Sequence, residues 1–268
     1  MKYHKVLTIA GSDSGGGAGI QADIKTISAC QCYASSAITA ITAQNTLGVK
    51  DIHPVPSMTV KSQIEAVLDD IGTDAIKIGM LHSSEIIQMV AACLDKYQIK
   101  NVVLDPVMVA TSGNQLLQNE AIDNLKTILF PKVRIITPNL PEAEILLGRK
   151  IEKQAEFRGV AKELAEKYQV SVLLKAGHLT GDDLIDVLYD FETSQSHDLK
   201  SKRIETQNTH GTGCSLSSAL SSFLAKGFTI SESAQRAKLY ITNSIKEGRD
   251  YNIGKGHGPV HHFYQYWK

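Results

Sequence analysis

Residues 75–105, A-I-K-I-G-M-L-H-S-S-E-I-I-Q-M-V-A-A-C-L-D-K-Y-Q-I-K-N-V-V-L-D, contain the pattern that decides the fold. The apolar run over 75–80 predicts a buried strand, and helical spacing of apolar residues follows over 84–97. A second apolar run over 102–105 predicts another buried strand. A strand, a helix and a strand in this order indicate two parallel strands joined by a crossover helix.

The same alternation continues on both sides of this unit. Further strands are predicted at 5–10, 135–137 and 172–175, an alternating stretch at 35–46, and helices at 20–29, 57–70, near 119–129, after Glu142, at 154–168, at 214–226 and at about 231–248. Leu184–Tyr189 and Lys202–Thr206 predict a small antiparallel hairpin at the sheet edge. We therefore expect an α/β fold with three α/β/α layers, in which helices cover both faces of a mainly parallel central sheet, in one domain over residues 1–268.

Composition excludes several classes of protein. Lysine plus arginine and aspartate plus glutamate number 28 each, which gives no electrostatic reason to expect binding to nucleic acid or to a membrane surface. The four cysteines, Cys30, Cys32, Cys93 and Cys214, fit neither a disulfide framework nor a zinc-binding pattern. The start of the chain resembles no signal peptide and no apolar run is of transmembrane length, so we expect a cytoplasmic protein.

The most informative functional stretch is residues 208–220, N-T-H-G-T-G-C-S-L-S-S-A-L. A glycine-containing turn at 210–213 precedes a helix that is predicted to begin near Cys214. The first N–H groups of a helix and the positive end of its dipole attract anions, so this turn predicts an anion site. The same field favours a thiolate, so we expect Cys214 to have a lowered pKa.

A second glycine-rich stretch, Gly11–Gly19, follows the first predicted strand. A dinucleotide-binding loop is one interpretation, but the glycine spacing does not match G-x-G-x-x-G. We prefer a loop whose backbone approaches a small organic ligand closely. This loop and the stretch 108–116 are the candidate lids.

Polar residues collect at the predicted carboxyl ends of the strands, where ligands bind in such sheets. They are Asp13, Gln44, Asp105, Asn139, Glu142, Lys175 and the turn at 210–214. Two carboxylates suit Mg²⁺ and a lysine can neutralise a phosphate. Each residue alone also has an ordinary structural explanation, such as a turn, a helix start or a lysine that reaches the surface.

Seven motifs in chain order resemble one family. They are G-S-D-S-G-G-G-A-G-I-Q-A-D, A-I-T-A-Q-N-T, I-K-I-G-M, D-P-V-M-V-A, T-P-N-x-P-E-A-E, L-L-K-A-G-H and H-G-T-G-C. Together they resemble the hydroxymethylpyrimidine/phosphomethylpyrimidine kinases of thiamine biosynthesis, within the ribokinase-like superfamily. The resemblance covers nearly the whole chain, but Thr111 stands where the family often has lysine.

The resemblance implies a role for each matching residue. Cys214 would be the base that deprotonates the acceptor hydroxyl, with the Gly211 and Gly213 amides stabilising the transferring phosphoryl group. ATP would be held by Asn139, Lys175, Gly211, Thr212 and Gly213, and Mg²⁺ by Asp105 and Glu142. The pyrimidine alcohol and its phosphate would be bound by Gly11, Asp13, Ala18, Asp23, Gln44, Met80, Val107 and His210. The resemblance also implies a homodimer.

Two residues leave alternatives open. The Gln44 carboxamide offers a donor beside an acceptor, which matches the ring nitrogen and exocyclic amine of a 4-aminopyrimidine, whereas a pyridoxal ring lacks that paired edge. His210 is expected to tune Cys214, to contact the substrate, or to be an ordinary loop histidine with its own hydrogen bonds satisfied. A pyridoxal/pyridoxine kinase is the alternative enzyme, and a non-catalytic ligand-binding regulator is the remote one.

Overall fold

The computed structural model describes residues 3–108, 119–177 and 181–267. Its strands are β1 (Lys5–Asp13), β2 (Tyr33–Asn45), β3 (Gly48–Pro54), β4 (Ala75–Ile78), β5 (Val102–Leu104), β6 (Ile135–Ile136), β7 (Ser171–Leu174), β8 (Asp183–Asp190) and β9 (Gln195–Lys202). Its α-helices are α1 (Gly19–Ala29), α2 (Ser57–Asp70), α3 (Ser84–Tyr97), α4 (Asn119–Asn124), α5 (Leu140–Leu147), α6 (Phe157–Tyr168), α7 (Thr212–Ala225) and α8 (Ile230–Gly248). A π-helical turn (Leu125–Leu129) and a 3₁₀ turn (Phe130–Lys132) extend α4, and another 3₁₀ turn (Gln154–Glu156) precedes α6.

The described strands form one nine-stranded sheet in the order β3-β2-β1-β4-β5-β6-β7-β8-β9. The central pairs from β2 through β7 are parallel, while β3 and the β8–β9 hairpin are antiparallel at the two edges. The predicted α/β fold with a mainly parallel sheet is therefore confirmed.

Alternate residues of the central strands pack against different helical layers. On β5, Val102 and Leu104 join a core cluster with residues of α2 to α6, whereas Val103 joins a second cluster with residues of α7 and α8. Fully apolar strands such as A-I-K-I and V-V-L follow from burial on both faces. The three-layer α/β/α arrangement is therefore confirmed.

Two features of the sheet edges differ from the predictions. The second strand of the hairpin is Gln195–Lys202, not residues 202–206. Its sequence, Q-S-H-D-L-K-S-K, is polar because it is the outermost strand and buries only Leu199 well. β3 was not predicted, since G-V-K-D-I-H-P is also a polar edge strand with no buried side chain. Edge strands need no continuous apolar run, and apolar patterns therefore miss them.

Other expectations fall partly outside the described residues. Of the predicted lid at 108–116, only Met108 is described, and Thr111 is outside. The four cysteines are free thiols. Among the described residues, no helix combines the length and the apolar character needed to cross a bilayer.

Candidate active site

A cavity of about 750 Å³ opens at the carboxyl ends of the central strands. Its walls include Ala10–Asp13 from the end of β1, Met80 after β4, Asp105 after β5 and Asn139 after β6. β1 lies between β2 and β4, so the chain leaves it toward one side of the sheet and later returns on the other. Such a switch point leaves a crevice at the strand ends, where ligands bind in this class of fold.

The cavity brings together nearly all the predicted site residues. Those that line it are Gly11, Asp13, Ala18, Gln44, Met80, Asp105, Val107, Asn139, Glu142, Lys175, His210, Gly211, Thr212, Gly213 and Cys214. Asp23 is the exception, because its side chain is fully buried below the cavity wall. The two loops and the strand ends, distant in sequence, therefore form one site.

The predicted anion turn begins α7. Gly211 has φ of +77°, a left-handed conformation, and a Cβ at this position would overlap the Gly17 carbonyl. The turn thus packs directly on the glycine-rich loop. At Gly213 a Cβ would lie 3.3 Å from Lys175 Nζ and 3.4 Å from Asp105 Oδ2. The first turn of α7 therefore sits against the charged pair at the strand ends.

That charged pair is Asp105 and Lys175. Lys175 Nζ donates to Asp105 Oδ1 at 2.8 Å, and Thr137 Oγ1 donates to the same oxygen at 3.0 Å. Burial by itself would raise the pKa of Asp105, but the charges of Lys175 and Lys77 hold it below the ordinary value. Asp105 is therefore an anion in the site, and Lys175 is a cation beside the anion turn.

Glu142 and Asn139 form a capping box at the start of α5. The Asn139 amide donates to Glu142 Oε2 at 2.8 Å, and the Glu142 amide donates to Asn139 Oδ1 at 3.0 Å. Burial, with the Asp105 charge opposing Lys175, raises the pKa of Glu142 to about 7. Asp105 and Glu142 thus form a buried pair of carboxyl groups, and an additional positive charge would stabilise their ionised forms. A hard cation held by one or two carboxylates and by phosphate oxygens fits this donor set.

The electrostatic expectation for Cys214 is wrong. The thiol lines the cavity at the start of α7, but burial raises its pKa to about 11. The Lys77 charge lowers the pKa, while Asp23 and Asp105 raise it again. The dipole of one helix does not outweigh desolvation combined with two nearby carboxylates.

The glycine-rich loop is organised around Asp13. Its carboxylate accepts from the amides of Gly15 (2.8 Å), Gly17 (3.1 Å) and Ala18 (2.8 Å). Burial would raise the pKa of Asp13, but the hydrogen bonds from His210, Ala18 and Gly15 lower it. These loop amides bind a carboxylate of the chain itself, so they are not free to cradle a phosphate.

The structure resolves the surroundings of His210. Its Nε2 lies 2.9 Å from Asp13 Oδ2 and 3.3 Å from Gln44 Nε2. The imidazole thus joins the glycine-rich loop to the end of β2. These contacts satisfy the ring nitrogen within the loop and place His210 beside Gln44 at one end of the cavity.

Lys77 is a cavity residue that the sequence reasoning missed. It is fully buried on β4, and its Nζ lies 2.9 Å from both carboxylate oxygens of Asp23. Asp23 also accepts from Thr8 Oγ1 at 2.6 Å and from Ser218 Oγ at 2.7 Å. The ion pair thus joins β1, β4, α1 and α7 beneath Cys214. In the sequence, the lysine inside the otherwise apolar strand A-I-K-I was the feature that could have indicated a buried ion pair.

A model of the phosphomethylpyrimidine kinase family matches residues 13–261. The chain belongs to this family. It is 46% identical to the hydroxymethylpyrimidine/phosphomethylpyrimidine kinase of Rhizobium meliloti (strain 1021), covering 98% of each chain. It is 48% identical over 96% of its length to the thiamine biosynthesis bifunctional protein ThiED of Geobacter sulfurreducens, but spans only 52% of that relative.

Among solved structures, this chain resembles that of Bacillus subtilis pyridoxal kinase in complex with ADP. The TM-score is 0.89 at 38% identity, with 97% of this chain and 98% of that chain covered. The predicted family and the prediction of a phosphotransferase are confirmed by these relationships.

The cavity of this kinase has a second end, which was not predicted from the sequence. Beyond Lys175 the walls are formed by β8, the chain after β9, and α8. Lys238 Nζ of α8 donates to Asp186 Oδ2 at 2.7 Å, and Asp186 Oδ1 accepts from the Ala176 amide at 2.8 Å. The apolar side chains of Leu184, Ile204, Ile241 and Ile245 line the same end. The cavity therefore extends from the end of β2, at Gln44, to α8, at Lys238 and Ile245.

Proposed function

We propose that this kinase transfers the γ-phosphoryl group of Mg·ATP to the hydroxymethyl oxygen of 4-amino-5-hydroxymethyl-2-methylpyrimidine, and then phosphorylates the resulting monophosphate. The observation that carries the proposal is the shared cavity of Gln44, Cys214 and the Asp105–Lys175 pair. Gln44 offers a donor and an acceptor for an aminopyrimidine edge, and the charged pair lies at the anion turn. The names of the relatives agree with this reaction.

In the first step, the hydroxyl oxygen of the alcohol attacks the γ-phosphorus while the bond from that phosphorus to ADP breaks. The Cys214 thiol first releases its own proton to solvent, and the resulting thiolate then takes up the proton of the alcohol and becomes a thiol again. Lys175 neutralises charge on the phosphoryl oxygens, and the amides of Gly211 and Gly213 stabilise the same oxygens as a transition-state anion. Thr212 and Asn139 complete the nucleotide contacts.

Asp105 and Glu142 would hold Mg²⁺, which when bound neutralises charge on the nucleotide phosphates. Without a cation, Glu142 takes up a proton near neutral pH because its pKa is about 7. With the cation bound, both carboxylates would be its ligands, and their role would be to orient the nucleotide phosphates.

The second step differs from the first in its need for a base. The acceptor is then an oxygen of a phosphate monoester, whose second pKa near 6 leaves it ionised at neutral pH. No proton has to be removed from it. Cys214 should therefore matter for the alcohol and much less for the monophosphate.

A Cys214→Ala variant tests the proposal. We expect kcat for the alcohol to fall by about 10²–10⁴, as for loss of a general base, while kcat for the monophosphate falls by less than about tenfold. Cys93→Ala, at a buried thiol on α3, is the control. Equal activity of Cys214→Ala and wild type on the alcohol would contradict the base role.

Pyridoxal/pyridoxine phosphorylation is the second candidate function, favoured by the likeness to the Bacillus subtilis pyridoxal kinase. The discriminating measurement is kcat/KM for the pyrimidine alcohol and for pyridoxine at saturating Mg·ATP. A tenfold or greater preference for pyridoxine would overturn the substrate assignment.

We further propose a single-domain, cytoplasmic enzyme that works as a homodimer. Free thiols at all four cysteines suit a reducing compartment. Ile41 and Leu47, which are 52% and 70% exposed at the β2–β3 edge, provide apolar surface that a second copy can cover. Light scattering of the purified enzyme tests the dimer, and a monomer mass at micromolar concentration would refute it.

A further inference from the structure

A chain of polar contacts surrounds the Gln44 carboxamide. Its nitrogen lies 3.3 Å from His210 Nε2, and its oxygen lies 3.2 Å from Thr42 Oγ1. His210 Nε2 also lies 2.9 Å from Asp13 Oδ2. Thr42 Oγ1 donates to the Ser12 carbonyl at 2.9 Å. Each end of the amide therefore has one fixed neighbour.

The Asp13 contact determines which atom of His210 carries a proton. An unprotonated Nε2 would place its lone pair against a carboxylate oxygen, so Nε2 carries the hydrogen and donates it. That carboxylate is itself held by the loop amides of Gly15, Gly17 and Ala18. The single Nε2 hydrogen of His210 thus points mainly at Asp13, at 2.9 Å, and an acceptor on Gln44 at 3.3 Å can share it, whereas a donor on Gln44 cannot.

Thr42 fixes the other end in the same way. Its single hydroxyl proton is used by the Ser12 carbonyl, which leaves the hydroxyl oxygen as an acceptor toward Gln44. A donor at His210 and an acceptor at Thr42 are both satisfied once the carboxamide is turned by a half-turn from the placement given above, so that its oxygen faces His210 and its nitrogen faces Thr42. The placement given above, with the nitrogen toward His210, opposes two donors there.

We propose that His210 and Thr42 are positioning residues that hold the Gln44 carboxamide in this one orientation and thereby select the substrate ring. The held amide keeps one oxygen lone pair and one N–H for a ligand. An aminopyrimidine edge, with an amine donor beside a ring-nitrogen acceptor, fits that arrangement in only one pose, which fixes the side on which the hydroxymethyl group lies. This inference rests on the proposed pyrimidine substrate.

The test compares His210→Phe and Thr42→Val with wild type. Phe retains a ring against Gly17 and Pro259, and Val retains the shape of Thr. The measured quantity is kcat/KM for the pyrimidine alcohol divided by that for pyridoxine. We expect each variant to lower this ratio by about three- to tenfold, as for loss of one hydrogen bond, mainly through KM of the pyrimidine. His53→Phe, at an exposed histidine on β3, should leave the ratio unchanged.

The outcomes separate the inference from the function on which it rests. Equal loss on both substrates, with an unchanged ratio, would mean that the two residues are merely structural and would overturn the inference alone. A wild type that does not prefer the pyrimidine would overturn the proposed function as well.

Side-chain amide NMR gives a readout that needs no substrate. The Gln44 amide protons should exchange with solvent more slowly than those of the exposed Gln195 in wild type, and this protection should be lost in Thr42→Val. Equal exchange of Gln44 and Gln195 in wild type would also refute the inference.

Discussion

The buried ion pair of Lys77 and Asp23 should be a major determinant of stability. Both side chains are fully inaccessible to solvent, with Nζ 2.9 Å from the carboxylate oxygens, so screening by water does not weaken the pair. Lys77→Met keeps the approximate volume but leaves the Asp23 carboxylate buried without its cation. Removal of one partner of such a pair costs about 3–5 kcal/mol. The hydroxyl donors of Thr8 and Ser218 remain, which favours the lower end of that range.

A double-mutant cycle separates the pair from general packing. Asp23→Asn should also destabilise, because it leaves the ammonium of Lys77 unpaired. The combined variant buries no net charge and should be more stable than the sum of the single changes predicts by at least about 2 kcal/mol. The assay is urea unfolding followed by circular dichroism, with Lys96→Met, which removes an exposed ion pair with Glu65, as the control. A loss below about 1 kcal/mol in Lys77→Met, or additive single changes, would refute the reasoning.

Three further predictions concern the site and its surroundings. Gly213→Ala brings a methyl group to 3.3 Å from Lys175 Nζ, so the ammonium must shift, and kcat should fall by up to about 10² with little change in Tm; unchanged kcat would contradict the close approach. The Cys214 pKa of about 11 predicts that kcat/KM for the alcohol rises by about tenfold per pH unit above neutrality. The pH profile of Cys214→Ala should be flat. A plateau at neutral pH in wild type would contradict this prediction. Burial, with the charges of Lys25 and His261, lowers the pKa of His262 from 6.5 to about 3. The unfolded chain therefore binds a proton at this histidine more readily than the folded chain does, and the free energy of unfolding should fall as the pH drops from about 6.5 toward 3. His262→Phe should make that dependence on pH flatter in urea titrations. An unchanged slope in the variant would contradict this prediction.

Much of the fold is predictable from periodicity because its central elements are buried. The predicted helices at 57–70 and 84–97 coincide with α2 and α3, since an apolar stripe on an otherwise polar helix is a local pattern. The edge strands are different. β3 and β9 are held by backbone pairing to β2 and β8, and their side chains carry almost no apolar signal.

The grouping of the candidate site residues in one cavity was also predictable, but their electrostatics were not. Asp105 and Lys175 follow parallel strands, so topology alone brings them to one edge of the sheet. Lys77 within A-I-K-I gives no indication of its partner, because Asp23 lies on a helix 54 positions away in the chain. The Cys214 prediction used only the local helix dipole, whereas the thiol pKa is set mainly by burial and by residues from other elements.

The raised pKa of Cys214 makes the thiolate a strong base that is rarely formed at neutral pH. A strong base suits an alcohol, whose own proton is held tightly, and the low population of thiolate limits the rate rather than preventing the reaction. The same burial keeps the thiol uncharged in the resting enzyme, where the Asp23 and Asp105 carboxylates oppose a further negative charge. A cation bound at Asp105 and Glu142 would remove part of that opposition, so formation of the thiolate should be coupled to nucleotide binding. For the monophosphate acceptor this coupling is irrelevant, because the attacking oxygen is already ionised. On the proposed mechanism, one cavity therefore performs two phosphorylations, of which only the first depends on its cysteine.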